Sequence, residues 1–319
     1  MHMSDQQSFY LAGKPVDLSV IIVSWNTRDL LADCLRSLYA NPLPGNAEVW
    51  VIDNASTDGS VEMVESCFPM VRLIANLENL GFARANNQAL QMCSGRYILL
   101  LNPDTEIRPG ALQTLMQFMD RNPRAGGAGP YLLNSDGSLQ VSCYPLPTLF
   151  RELWRLFYLD NLFPVGVYQM RDWNHNQPRQ VEVLKGACII LRRQALEQVG
   201  LFDEDYFIYT EEVDLCYRFT RAGWPLYWVP RAKVVHFGGQ SVEKVPDEMF
   251  MLLYSTKLIF FRKHHGFLAG RFYKFILFLA ALMRIMLSPI INLDRSSHWG
   301  TRLHVAGQYR KLLNSLPRL

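Results

Sequence analysis

Leu18–Ser24 is a run of apolar and small residues rich in β-branched side chains, the pattern of a strand covered on both faces. Thr27 follows where it can cap a helix in which Leu30, Leu31, Cys34, Leu35 and Leu38 recur at helical spacing. Asn41–Gly45, with two prolines and a glycine, ends that helix. The alternation continues. Val49–Ile52, Val71–Ile74 and Tyr97–Leu101 read as buried strands, with a helix over 83–93 and another over 110–120 whose first turn suits Pro109. From Tyr144 to Arg179 the periodicity weakens among prolines, aromatics and a polar cluster over 174–178, so an insertion or flexible loop beside a site is expected. The pattern resumes with a strand over 181–191 carrying Gly186, a helix over 211–222, and strands over 226–229 and 234–235. Apolar strands alternating with helices predict an α/β fold whose parallel sheet is covered on both sides.

Polar residues collect at the ends of these strands. Trp25-Asn26, Asp53-Asn54 and Asn102-Pro103-Asp104 each follow a strand C-terminus, the edge at which open α/β sheets bind ligands. Asp104 is placed to hold a hard divalent cation, although the same tripeptide also makes Asx-turns and helix caps. Glu211-Glu212-Val213-Asp214 crowds three carboxylates at a helix start. Such a group serves as a dipole partner, or, by mutual repulsion, as a base working near neutral pH. His236 follows the last strand and precedes two glycines, with a structural role and a metal-ligand role both open to it. Gly126-Gly127-Ala128-Gly129 precedes a strand rather than following one, which excludes a dinucleotide fingerprint, and no GxxxxGK[ST] occurs.

The chain has 319 residues, 49% of them hydrophobic and 19% charged, which excludes wholesale disorder and a small disulfide scaffold. Its six cysteines lie in apolar runs without CxxC spacing and are expected to be reduced core thiols in a cytoplasmic setting. Met1–Pro15 lacks the apolar region of a signal peptide, and Met1-His2-Met3 reads as a cloning remnant. The net charge of +3 conceals an asymmetry: residues 1–240 carry 20 Lys and Arg against 25 Asp and Glu, residues 241–319 carry 12 against 4. A basic tail on an acidic body points to an anionic partner.

Taken in order, SVIIVSWN, DNASTDGS, NLGFARANNQAL, LLLNPD, GACIILRR, YTEEVDLCYR and HFGGQS resemble the bacterial family 2 glycosyltransferases, in their rhamnosyltransferase-like branch, from Leu18 to Ser241. The resemblance implies a GT-A fold, a nucleotide-sugar-binding α/β sandwich with a mostly parallel central sheet. It implies an inverting transfer, of L-rhamnose from dTDP-L-rhamnose or of a hexose, galactofuranose or N-acetylhexosamine from a UDP donor. A lipid-linked saccharide in cell-surface polysaccharide assembly is the implied acceptor. A non-catalytic nucleotide-binding scaffold on the same fold is the rival reading. By resemblance, Asp53 contacts the nucleotide base or ribose, Ser24, Trp25 and Asn26 line that pocket, and Asn79, Gly81, Arg84 and Asn86 close on the diphosphate. Asp104 and His236 match the residues that hold Mg²⁺ or Mn²⁺, with Asn102 beside them where the family commonly has a first aspartate. Glu212 aligns with the base, and Glu211 competes for that role. Lys185, Gly186 and Ala187 border the sugar, and Asp214 is left with acceptor contacts at most.

These residues predict a catalytic domain over 16–241 and a basic, apolar helical region over 242–319. From Gly270 to Leu287 a helical projection groups Arg271, Lys274 and Arg284 opposite Phe272, Phe275, Ile276, Leu279, Leu282, Met283, Met286 and Leu287, and Pro289 ends the helix. The uninterrupted apolar run over 275–283 is short of the ~20 residues a span requires. Amphipathic helices lying on the inner face of the plasma membrane are therefore expected, with no nucleic-acid partner and the oligomeric state left open.

Overall fold

The computed structural model describes residues 15–238, 246–287 and 299–318. The N-terminal remnant, Gly239–Ser241 of the last motif and Pro289 lie outside the described residues. In chain order the elements are β1 (Leu18–Ser24), α1 (Arg28–Ala40), β2 (Ala47–Asp53), α2 (Ser60–Cys67), β3 (Arg72–Ala75), α3 (Phe82–Met92), β4 (Tyr97–Leu101), β5 (Thr105–Ile107), α4 (Ala111–Arg121) and β6 (Gly127–Leu133). They continue with β7 (Cys143–Tyr144), α5 (Leu149–Leu156), β8 (Arg179–Val181), β9 (Val183–Leu184), β10 (Cys188–Arg192), α6 (Arg193–Val199), α7 (Glu211–Arg221), β11 (Leu226–His236), α8 (Pro246–Leu287) and α9 (Trp299–Ser315).

A nine-stranded sheet runs β3-β2-β1-β4-β10-β6-β11-β5, with β8 paired to β11. β3, β2, β1 and β4 are mutually parallel, β10 is antiparallel to its neighbours β4 and β6, and β11 is parallel to β6. Because side chains alternate along a strand, Leu18, Val20 and Ile22 enter the core beneath α1 and α4, whereas Ile21 enters the core beneath α3, α6 and α7. That double burial is why β1 is apolar at nearly every position.

Several local expectations are corrected. Thr27 occupies the N-cap of α1 but its hydroxyl pairs with Ser24 Oγ at 2.9 Å instead of capping. The weakly patterned stretch contains α5, capped by Thr148 Oγ1, which accepts from Arg151 N–H at 3.1 Å. The strand expected over 181–191 is divided: β10 pairs with β4 only from Cys188, and Lys185–Ala187 leave the ladder. The two expected final strands are one, β11, with a register shift between Val229 and Lys233, where Pro230 has no N–H to offer.

α8 is bent at Gly266, whose φ of 86° and ψ of 173° no helix contains. Its two halves fold back on one another, for Phe261 and Tyr273, twelve residues apart, bring their rings to 4.7 Å. Tyr254 from the first half and Arg284 from the second both reach the hydroxyl of Tyr309 on α9. The result is a helical hairpin braced by α9. Tyr254, Leu258, Phe261, Tyr273, Ile276, Leu277 and Leu312 form a third apolar core with Leu156 of α5.

The second half of this hairpin is not laid out as its projection predicted. Arg284 turns inward, donating to the Leu156 carbonyl at 3.0 Å and stacking on Tyr158 and Tyr309. The outward face carries Phe267, Leu268, Phe272, Phe275, Phe278, Leu279, Leu282 and Met286, all exposed. At 100° per residue these eight fall within an arc of about 140°.

Candidate active site

The strand directions bring the polar clusters to one edge. β1, β2, β4 and β11 end there, and β10, running the other way, begins there. Asn102 N–H donates to the Ala187 carbonyl at 2.9 Å, joining the end of β4 to the segment before β10. Along this edge opens a cleft of about 560 Å³. Of the residues singled out in the sequence, Trp25, Asn79, Gly81, Asn102, Asp104, Lys185, Gly186, Ala187, Glu211, Glu212 and His236 line it.

One wall carries Asp104 and His236, both buried, with His236 Nε2 at 3.3 Å from Asp104 Oδ1 and 3.5 Å from Asn102 Nδ2. No third His, Cys, Asp or Glu joins this pair among the described residues. Behind it, Gln140 Oε1 stands 2.6 Å from His236 Nδ1 and accepts from Lys185 Nζ at 2.9 Å.

The same cleft is lined by Glu211 and Glu212, the first two residues of α7. Tyr209 and Thr210 before them both have left-handed backbone, φ 69° and 71°, which costs a residue bearing a Cβ about 1–3 kcal/mol. The turn is held from two sides: Thr210 Oγ1 meets Thr256 Oγ1 of α8 at 3.1 Å, and Phe82 N–H donates to the Phe207 carbonyl at 2.6 Å. Gly81 permits that approach, since a Cβ there would lie 2.4 Å from the Phe207 carbonyl oxygen. Neither Glu211 Oε2 nor Glu212 Oε2 has a protein partner although both are buried. Burial, and then the charge of Glu212, push the Glu211 carboxyl well above the usual carboxylate range. Burial raises Glu212 as well, opposed by backbone N–H groups and by the charges of Lys185 and Lys257. Two such carboxyls titrate as a pair rather than singly.

The remaining sequence candidates lie off the cleft. Ser24 is fully buried against Thr27. Asn26 knits two loops, its Oδ1 accepting from Thr57 N–H at 2.8 Å and its N–H donating to Ser56 Oγ at 2.8 Å. Asp53 is buried beside the cleft-lining Asn54. One carboxylate oxygen accepts from Ser56 N–H at 2.8 Å and the other has no protein partner. Arg84, expected at the diphosphate, is instead exposed and paired with Glu204 at 3.2 Å. Asn86 is buried, bonding back to the Phe82 carbonyl within α3 at 2.9 Å. Asp214, expected near the acceptor, is fully buried on the far side of α7. It is 2.8 Å from Arg218 Nε and 2.6 Å from His264 Nε2 of α8.

Sequence reasoning missed Phe207, Ile208 and Tyr209, which form part of the wall, and Glu248 and Met249, which α8 contributes from the tail. The aromatic run Tyr206–Tyr209 just before the paired glutamates was the available signal for the first group. Nothing local marks the second, for Glu248 and Met249 open α8, within the stretch read as a separate tail.

Residues 19–200 match the model of Glycosyl transferase family 2, more than half the chain. This chain is a family 2 glycosyltransferase. The glycosyltransferase is 32% identical over 265 residues to an N-acetylglucosaminyl-diphospho-decaprenol L-rhamnosyltransferase of Mycobacterium tuberculosis, covering 78% of this chain and 85% of that one. It is 28% identical over 212 residues to a low-salt glycan biosynthesis hexosyltransferase of Haloferax volcanii, 64% of this chain and 62% of the relative. Its fold is that of a mannosyltransferase from Pyrobaculum calidifontis solved with GDP-Man and Mn²⁺ (TM-score 0.55, 19% identity, 96% and 85% of the two chains). It is also that of GalNAc-T7 with UDP, GalNAc and Mn²⁺ (TM-score 0.53, 16% identity, 70% and 44%). The glycosyltransferase thus has the GT-A architecture and mostly parallel sheet that its motifs implied.

Proposed function

We propose that this enzyme transfers L-rhamnose from dTDP-L-rhamnose to a lipid-linked saccharide, inverting the anomeric centre. The observation that carries the mechanism is one cleft lined both by a carboxylate–imidazole pair and by two adjacent glutamates, each with a buried carboxylate oxygen that accepts from no protein group. The choice of rhamnose and of a lipid-linked acceptor rests on the mycobacterial relative, whose name states both.

Asp104 and His236 offer a carboxylate and an imidazole nitrogen within one small volume, with the Asn102 amide beside them. That donor set would suit Mg²⁺ or Mn²⁺. When bound, such a cation neutralises charge on the nucleoside diphosphate. Lys185, whose pKa burial lowers while the charges of Asp104 and Glu212 hold it up, supplies the positive charge at the leaving diphosphate that Arg84 was expected to give. Glu212 faces Gly186, where a Cβ would stand 3.7 Å from its own, so a sugar has room beside the carboxylate. The Glu212 carboxylate takes the proton of the acceptor hydroxyl as that oxygen bonds to the anomeric carbon. The bond from that carbon to the diphosphate oxygen breaks on the opposite face. One displacement with one base inverts the centre.

The experiment is transfer from dTDP-L-rhamnose, with UDP-sugars as competitors, by the wild type and by Glu212→Gln. Loss of about 10²–10⁴-fold in rate with unchanged nucleotide affinity is expected, and unchanged turnover would remove Glu212 from the role. Stronger stabilisation by UDP than by dTDP in thermal unfolding would move the donor to the UDP-sugars and leave the mechanism in place.

The exposed apolar face of the tail hairpin supports association with a membrane surface, the location of a lipid-linked acceptor. Residues 247–287 form a helix long and apolar enough to cross a membrane. The bend at Gly266 and the buried face of Tyr273, Ile276, Leu277, Ala280 and Ala281 favour a helix lying against the bilayer over one crossing it.

A further inference from the structure

Gln140 stands at the end of the short hairpin closed by the Leu133–Leu139 bridge, and none of the functional readings above uses it. Its amide makes four polar contacts: Oε1 to Lys185 Nζ at 2.9 Å and to His236 Nδ1 at 2.6 Å, Nε2 to the His236 carbonyl at 2.9 Å and to Asn134 Oδ1 at 2.9 Å. Two of these partners have fixed roles. An ammonium can only donate, and a backbone carbonyl can only accept. Together they leave one orientation for the amide, with the oxygen toward Lys185 and the NH₂ toward the His236 carbonyl.

The oxygen therefore also faces His236 Nδ1, and a ring nitrogen 2.6 Å from an acceptor has to carry the hydrogen. Only Nε2 is left able to offer a lone pair, and Nε2 is the nitrogen 3.3 Å from Asp104. We infer that Gln140 is a positioning residue for the cation site, fixing the His236 tautomer so that Nε2 faces the cation beside Asp104. The inference rests on the reading of Asp104 and His236 as cation ligands. The same oxygen holds Lys185, so one amide aligns the imidazole of the cation site and the ammonium of the diphosphate site. Hydrogen bonds of this kind, from a ligating histidine's other nitrogen, commonly govern metal affinity by about 10–100-fold.

Three variants of the full chain test this: Gln140→Leu, Gln140→Glu and Asp104→Asn. Mn²⁺ binding is followed by electron paramagnetic resonance with dTDP present, and the His236 tautomer by ¹⁵N NMR of the Mn²⁺-free protein. The wild-type spectrum should show Nδ1 protonated. Gln140→Leu should weaken Mn²⁺ binding by about 10–100-fold and release the ring to the other tautomer. Gln140→Glu keeps an oxygen toward both donors and should restore the tautomer, but its second oxygen faces the His236 carbonyl and Asn134 Oδ1, so Mn²⁺ affinity should fall between wild type and Gln140→Leu. An unprotonated Nδ1 in the wild type overturns the inference without any variant. Wild-type Mn²⁺ affinity in Gln140→Leu, together with its loss in Asp104→Asn, would overturn it while leaving the cation site standing. Mn²⁺ binding untouched by Asp104→Asn would instead mean that the cation-site reading itself has failed.

Discussion

At the scale of single residues, the glutamate pair links catalysis to stability. Glu211 has a folded-state pKa well above its usual value of 4.5, caused first by burial and then by Glu212. The folded protein therefore binds this proton more tightly than the unfolded chain does. Stability is fully present below pH 4.5 and falls as pH rises toward the elevated value. Glu211→Gln removes the ionisation and keeps the shape. Its melting temperature should exceed that of the wild type at pH 7.5, with the gap closing toward pH 4.5; a pH series of thermal melts reads this directly. Residues at strand ends were legible in the sequence because sheet topology alone sends Asn102, Asp104 and His236 to one edge. Gln140 was not legible: it lies just past an isolated bridge, and its role comes from partners 45 and 96 residues away. Arg84 and Asp214 show the converse, since their motif positions matched while nearby opposite charges, Glu204 in one case and Arg218 and His264 in the other, engage them elsewhere.

At the scale of elements, α8 is fastened to the catalytic body by buried polar contacts. Burial would push the Glu152 carboxyl up, but Lys257 and Arg155 prevail and hold it down to about 2. The folded value lies below the unfolded one, so the stabilisation is present above pH 4.5 and is lost as pH falls toward 2. Its size is about 3 kcal/mol, at 1.36 kcal/mol per pH unit. Lys257→Met leaves a buried carboxylate with one partner fewer and should destabilise by about 3 kcal/mol in urea unfolding. Glu152→Leu combined with Lys257→Met and Arg155→Met should recover part of that loss, because the whole cluster of charges is then removed. Helix α5, which supplies Glu152, had a readable signature in Thr148 and the spacing of Leu149, Leu153 and Leu156. The prolines at 145 and 147 and the aromatics around it obscured the pattern. The division between β9 and β10 had no such signature, because Gly186 fits an apolar strand equally well until β4 is seen to pair only with Cys188–Arg192.

At the scale of the molecule, the basic count of the tail overstated what reaches solvent. Lys257 and Arg284 are spent on internal partners, and Lys263 pairs with Asp203 and Asp214. The outward face of the hairpin is instead apolar, with Arg271 set within it. Binding to vesicles should accordingly depend more on apolar insertion than on lipid charge. Phe272→Ser with Phe275→Ser should release the protein from phosphatidylglycerol vesicles in co-sedimentation while leaving its melting temperature unchanged, since both side chains are exposed in the folded state. Retention of binding by this double variant would remove the hairpin from that role.

That apolar face runs the length of residues 267–287, about 30 Å at 1.5 Å per residue. A contact of such length is a line, and a body resting on a line can roll but cannot pitch. Because the hairpin is locked to α5, α7 and α9, the whole cleft inherits that constraint. Docked in this way the cleft changes its height above the lipid only by rolling about that line, and the reach asked of the acceptor, counted from the lipid, is bounded by the fold itself.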